Sequence, residues 1–311
     1  MGKRLSFSNG RRLVDDVIRV SNKMPMAAFS SEWDVAQIAK LRRLAKPRIS
    51  WNVLMMKAHA IVCQKNEMLR RSFVKFPYGH LYEHHQSVCM MTIGRKHNGE
   101  ERLFFARFNE PDNYTLIELQ ELYDKYRKAP IEEIKQFRHQ ITFAKFPSPV
   151  RRFAWWALFN LWPQKRASHM GTFGMSISGH RGAFGAQHLG SNTTILGVDP
   201  NPRKGVAKML LTFDHQILDG APATEIFQQG QRMLATAVAK ELADMAGLDQ
   251  NTLEPLSEEQ KRNIRIKLAN KKRERDEQEE LRRRSRGKRG SRSTGSDRSR
   301  ENSPNDTKRA A

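Results

Sequence analysis

Apolar positions recur at helical spacing near the start of the chain, where Leu13, Val14, Val17 and Ile18 predict a helix over residues 11–23 entered at Asn9-Gly10. A strand is predicted over Met26–Val35, followed by a short helix through Ala36–Leu44 that Pro47 ends. Ser50 has the chemistry of an N-cap for a helix from Trp51 to about Leu69, apolar on most faces and therefore expected to be buried on both sides. Two strand-like runs, Ser87–Ile93 and Arg102–Phe108, flank a His97-Asn98-Gly99 turn signal. Thr115 caps a helix carrying Leu116, Leu119, Leu122 and Tyr123 on one face. Glycine-punctuated strands follow at Gly171–Ser178 and Thr193–Val198, then a strand at Val206–Asp214 and a helix from about Pro222 to Met245. Helices packed on a mixed sheet define an α/β (α+β) domain.

The 38% hydrophobic content and 28% charged content look too polar for a compact chain of 311 residues, until the distribution is followed. Residues 257–311 carry 19 Lys and Arg against 10 Asp and Glu, a net +9, which leaves +13 of the overall +22 on residues 1–256. From Ser257 the tail starts as a charged helix candidate, but beyond Leu281 it has almost no apolar residue with which to order itself. Residues 251–311 are therefore expected to be a charged, disordered basic tail behind a folded domain at 1–250. Cys63 and Cys89 sit in apolar contexts without disulfide or zinc spacing, which suits a reducing cytosol. No secretory leader follows Met1 and no run of 18 apolar residues exists, so the expected location is cytoplasmic, with the membrane periphery as a variant.

The candidate chemistry lies in M-L-L-T-F-D-H-Q-I-L-D-G-A-P-A-T-E-I-F, Met209 to Phe227. His215 leaves the end of an apolar strand, Asp219-Gly220 turns the chain, and Pro222 suits the first turn of a helix. This holds one imidazole at a strand exit, where a cleft can reach it.

D-H-Q-I-L-D-G-A resembles the active-site motif of the 2-oxoacid dehydrogenase acyltransferases (dihydrolipoamide acyltransferases), and its H-x-x-x-D-G core is shared with chloramphenicol acetyltransferase. G-T-F-G-M-S-I-S-G (171–179), T-I-L-G-V (194–198) and S-W-N-V-L-M-M-K-A-H-A (50–60) are similar to further segments of that family, in family order. The resemblance covers roughly residues 10–245 and implies a chloramphenicol acetyltransferase-like two-layer sandwich. It implies His215 as general base, Ser178 as the hydroxyl that binds the oxyanion, and Asp219 as a structural aspartate paired with an arginine of the first helix, Arg12 in preference to Arg11. Asp214 flanks the histidine and receives no role. The implied assembly is a homotrimer with histidine and serine meeting from neighbouring subunits, and the implied chemistry is direct transfer without a covalent enzyme intermediate. The thioester of coenzyme A or of an acyl-carrier protein is then the donor, with no metal.

The family's larger members carry lipoyl and subunit-binding domains ahead of the catalytic domain. Here the resemblance begins near residue 10, so no lipoyl attachment site is expected in this chain. Gln216 replaces the arginine common after the histidine. The segment Arg151–Arg166, R-R-F-A-W-W-A-L-F-N-L-W-P-Q-K-R, has no family counterpart. Phe153, Trp155, Trp156, Phe159 and Trp162 between basic ends fit either a helix on an anionic membrane surface or a buried helix or subunit contact, and an acyl pocket is a further use. His80, His84, His85, His180 and His188 lack a carboxylate or thiolate set for a metal and are expected to be structural or on the surface. Two alternatives stand beside a free-standing acyltransferase. One is a 2-oxoacid dehydrogenase core whose lipoyl domain comes from another polypeptide, and the other is a non-catalytic polyanion- or RNA-binding protein. For the latter the tail offers weak non-specific phosphate binding without aromatics for base stacking.

Overall fold

The computed structural model describes residues 7–177 and 191–293, together with Gly2. The chain divides into two units, Met1–Ser257 and Glu258–Ala311.

The first unit begins with α1 (Asn9–Ser21), where the Ser8 side chain accepts the Arg11 N–H. β1 (Met26–Asp34), α2 (Ala36–Leu44) and α3 (Trp51–Lys65) follow, with Ser50 capping α3 by accepting from Val53 N. The predicted helix to Leu69 stops at Lys65 and continues as a 3-10 turn over Glu67–Arg70. A short hairpin, β2 (Arg71–Val74) and β3 (His80–Glu83), was not anticipated from the sequence. β4 (Val88–His97) and β5 (Glu100–Asn109) form the expected hairpin, its Asn98-Gly99 loop at φ 51° and 78°, the left-handed pair that a two-residue turn requires. Thr115 and Glu118 form a reciprocal capping box at α4 (Leu116–Lys128).

α5 (Lys135–Lys145), α6 (Ser148–Asn160) and α7 (Pro163–Met170) lead to β6 (Phe173–Ile177), β7 (Thr194–Asn201) and β8 (Val206–Asp214). Gly171 makes the α7–β6 junction at φ 78°, and a Cβ there would stand 2.8 Å from the Val88 carbonyl oxygen, so only glycine fits. α8 (Gly220–Met233) passes through a π turn into α9 (Ala239–Ala246).

Among the described residues the main sheet has the order β1-β8-β7-β6-β4-β5, with β4, β6 and β7 parallel and the other pairings antiparallel. Alternation sends Cys89 and Met91 of β4, Phe173 and Met175 of β6, Leu196 and Val198 of β7, and Met209, Leu211 and Phe213 of β8 into the main core beneath the helices. α3 fills that core's centre, with Val53, Leu54, Met55 and Met56 all fully buried, as its all-round apolar pattern predicts. On the opposite face, at the β4–β5 end, Val17, Met90 and Met170 form a smaller cluster with Phe105, Trp155, Leu158 and Phe159 packed against it.

β5 is an edge strand whose outer backbone groups are satisfied by side chains. Gln140 accepts from Phe105 N at 3.0 Å and donates to Phe105 O at 2.7 Å, while Gln136 does the same for Arg107 at 2.9 and 3.2 Å. Two glutamine amides of α5 thus substitute for a neighbouring strand.

The second unit contains α10 (Glu258–Ser293), a 36-residue helix that takes up the charged helix candidate at the start of the tail and runs on past Leu281. Strong helix formers dominate it, and pairs such as Glu280 with Arg284 at 2.7 Å support it locally without an apolar stripe. Residues 294–311 of the tail lie outside the described residues. No described helix is long and apolar enough to cross a membrane.

Candidate active site

β8 carries the site because its alternating residues anchor it in the core and its last residue, Asp214, is fully buried. Three bonds fold the chain beyond it. Asp214 Oδ1 accepts Gln216 N at 3.0 Å, and the Asp214 carbonyl accepts Ile217 N and Leu218 N at 3.0 and 3.1 Å. Leu218, 1% exposed, pins the far side of this turn to the core. His215 N donates to Pro25 O at 2.9 Å, fixing the backbone from the β1 side, and the His215 ring stands 5.8 Å from that of Phe213. The imidazole itself is open, with 52% of its side-chain surface exposed.

Asp219 Oδ1 lies 3.4 Å from His215 Nδ1. Asp219 occupies the N-cap position of α8 without capping it, so its carboxylate is free to face the imidazole. With Nδ1 turned to the carboxylate, Nε2 is the nitrogen left to accept a proton.

The structure does not bring Arg12 to Asp219. α1 packs against β5, α5 and α6, at the opposite end of the sheet from β8, and among the described residues Asp219 makes its ion contact with His215. The first helix does supply a buried ion pair, but through Asp16, whose carboxylate accepts from Arg151 Nε at 2.7 Å and Nη2 at 3.3 Å. Ser178, His180 and His188 lie outside the described residues.

A second layer behind His215 went unread in the sequence. Arg166 is 3% exposed and donates to the Phe73 and Ser191 carbonyls, each at 2.8 Å, with its guanidinium over the Phe159 ring at 4.4 Å. Burial lowers its pKa to about 10 against the opposing field of Asp214. The Asp214 carboxyl is pushed up by burial, which the Gln216 N–H and the charges of Arg166 and His215 offset in part. Asp214 Oδ2, Ser191 Oγ and Asn192 Oδ1 are buried at this end of the sheet without a hydrogen-bond partner among the described residues. Buried orphan acceptors of this kind concentrate where a ligand or ordered water completes the site. Nearby, His59 is buried against Thr194 Oγ1 at 3.1 Å, and burial takes its pKa down to about 4, so it is neutral.

The aromatic segment divides at Pro163 instead of forming one surface helix, and both of its terminal arginines, Arg151 and Arg166, are buried. Phe153, Trp156 and Trp162 face solvent, whereas Trp155 and Phe159 turn inward onto the smaller core, so the five do not form one exposed face. His84 is buried with Nε2 3.0 Å from Ser72 Oγ and its pKa lowered by burial to about 4, while His80 and His85 are exposed. Among the described residues no group of His, Cys, Asp and Glu is arranged to hold a metal ion.

No protein-family model matches the chain, and no curated protein matches it. Solved structures do. A probable dihydrolipoamide acetyltransferase from Listeria monocytogenes superposes with a TM-score of 0.53 at 14% identity, covering 75% of this chain and 94% of the other. A truncated catalytic core of the 2-oxoacid dehydrogenase multienzyme complex from Thermoplasma acidophilum gives 0.55 at 15%, covering 76% and 99%. The dihydrolipoamide acetyltransferase of Azotobacter vinelandii gives 0.54 at 13%, covering 78% and 94%. The chain therefore has the fold of acyltransferase catalytic cores, as the motif around His215 led us to expect.

Proposed function

We propose that the chain is an acyltransferase that moves an acyl group from the thioester of coenzyme A or an acyl-carrier protein to an acceptor nucleophile, with His215 as general base. The observation that carries this reading is the half-exposed imidazole at the β8 exit, backed through Nδ1 by Asp219 at 3.4 Å. In the proposed step Nε2 takes the proton of the acceptor's thiol, hydroxyl or amine as that atom attacks the thioester carbonyl. The tetrahedral intermediate collapses, the C–S bond breaks, and the departing thiolate recovers the proton from the imidazolium. Acyl thioester and acceptor thus give acylated acceptor and free thiol. Ser178 is proposed to donate to the oxyanion, so that Ser178→Ala lowers turnover roughly 100-fold. Asp219 orients the ring and is exposed, so its charge is well screened.

A second reading is favoured by the similar solved structures, which are dihydrolipoamide acetyltransferases and a 2-oxoacid dehydrogenase core. The Azotobacter structure concerns a serine, a histidine and an asparagine in that enzyme's catalytic mechanism, a set compatible with Ser178, His215 and Asp219 in these roles. On this reading the acceptor is dihydrolipoamide on a separate polypeptide, and the assembly is a homotrimer. Thiol release from acetyl-CoA and palmitoyl-CoA, with and without free dihydrolipoamide, separates the two. A large stimulation by dihydrolipoamide supports the core reading, and release with other acceptors alone supports the free-standing enzyme. Absence of release from every thioester would contradict both.

A further inference from the structure

A cavity of about 640 Å3 lies at the β4–β5 end of the sheet, between β5 and helices α5, α6 and α7, and shares no lining residue with the candidate active site. Its volume is in the range of pockets that enclose most of a small organic ligand. The inner wall is apolar, with Leu13 and Met170 buried at its floor and Phe105, Phe143, Trp155 and Leu158 partly buried around it. The outer wall is exposed and basic, carrying Lys165, His139 and His169 beside Trp162.

The polar groups available to a ligand are donors and cations. The amides of Gln136 and Gln140 line the cavity but are spent on the β5 backbone. Trp155 Nε1 is buried without a hydrogen-bond acceptor among the described residues. Arg107 reaches only the Gln136 oxygen at 3.5 Å through its guanidinium, with no carboxylate paired to it among the described residues, and burial lowers its pKa. Lys165 Nζ stands 5.3 Å from the Trp162 ring centroid and has no carboxylate partner among the described residues. Among the described residues no Asp or Glu lines the cavity. A partly buried guanidinium, an indole N–H with no acceptor among the described residues and an apolar floor together call for an anion with an apolar tail.

We infer that this cavity binds a long-chain fatty acid, its carboxylate held by Arg107 and Lys165 and its alkyl chain against Leu13, Phe105, Leu158 and Met170. The inference goes beyond the acyltransferase reading and stands without it, because binding is measured directly. The test is calorimetric titration of the full chain with palmitate below its aggregation concentration, alongside hexadecyltrimethylammonium as a cation with the same tail. One palmitate per chain is expected, with the cation bound at least about tenfold more weakly. The double variant Arg107→Gln, Lys165→Gln should weaken palmitate by about tenfold or more. Ala154→Phe, which fills the cavity while keeping both cations, should abolish binding, and its melting curve shows whether it folds. Should the double variant fail to fold, the cation comparison and Ala154→Phe decide the matter. No saturable palmitate binding, equal binding of the cation, or unchanged affinity in folded Ala154→Phe would each overturn the inference.

Discussion

The two ends of the main sheet solve the same problem, finishing a strand at the margin of a core, by different means. At the β8 end the chain turns on its own backbone, with Asp214 gathering the N–H groups of Gln216, Ile217 and Leu218 within a few residues. At the β5 end the work is done by side chains far away in sequence. Gln136 and Gln140 pair with the strand edge, and Arg151 closes on Asp16 across 135 residues. The first arrangement leaves an imidazole open at a fixed point. The second leaves a hollow between helices. Local hydrogen bonding can present one reactive group accurately, whereas distant side-chain bonding encloses a volume.

The comparison breaks most visibly through the ion pair at the β5 end. Arg151→Ala leaves the Asp16 carboxylate buried and unpaired, and should cost about 3–5 kcal/mol in chemical denaturation. A loss below about 1 kcal/mol would show that α1 and α6 are held by apolar packing alone. Acid should also weaken the fold. His59 and His84 are neutral in the fold, with pKa values lowered by burial to about 4, and titrate near 6.5 when unfolded. Between these values the unfolded chain binds more protons. The stability they confer is therefore complete above about pH 6.5 and falls as pH drops toward 4, by up to about 3 kcal/mol for each. Urea denaturation at pH 7.5 and 4.5 measures this, and equal stability at both would contradict the neutral, buried assignment. A smaller effect should follow Gln140→Met, which keeps the volume but strands Phe105 N and O, at a cost of about 1–3 kcal/mol. A neutral result would mean that solvent serves that edge equally well.

These ends also differ in how much of them could be read from the amino-acid order. β8, the turn after it, the Ser50 cap and the Thr115 cap all depend on residues a few positions apart, so period and capping chemistry expose them. The placing of His215 at a strand exit and of Asp219-Gly220 in the turn after it is legible for the same reason, whereas their chemical roles rest on the resemblance. The pairing of Arg12 with Asp219, a long-range inference carried by resemblance, is not seen within this chain, where the first helix lies beside β5 with Asp16 buried. Gln136 and Gln140 sit on an otherwise polar helix and look like solvent-facing residues until β5 is placed beside them. Arg166 reads as a surface charge in sequence, and only the carbonyls of Phe73 and Ser191 reveal that it is internal. The β2–β3 hairpin is too short, at four residues per strand, to show alternation above background.

The most direct test of the account compares wild type with His215→Ala in thiol release from acetyl-CoA and palmitoyl-CoA, with thermal melting in parallel. The ring is half exposed and contributes little packing, so the melting temperature should hold while turnover falls by about 100- to 10,000-fold. Turnover that survives the substitution in a folded protein would contradict His215 as the base and the function built on it.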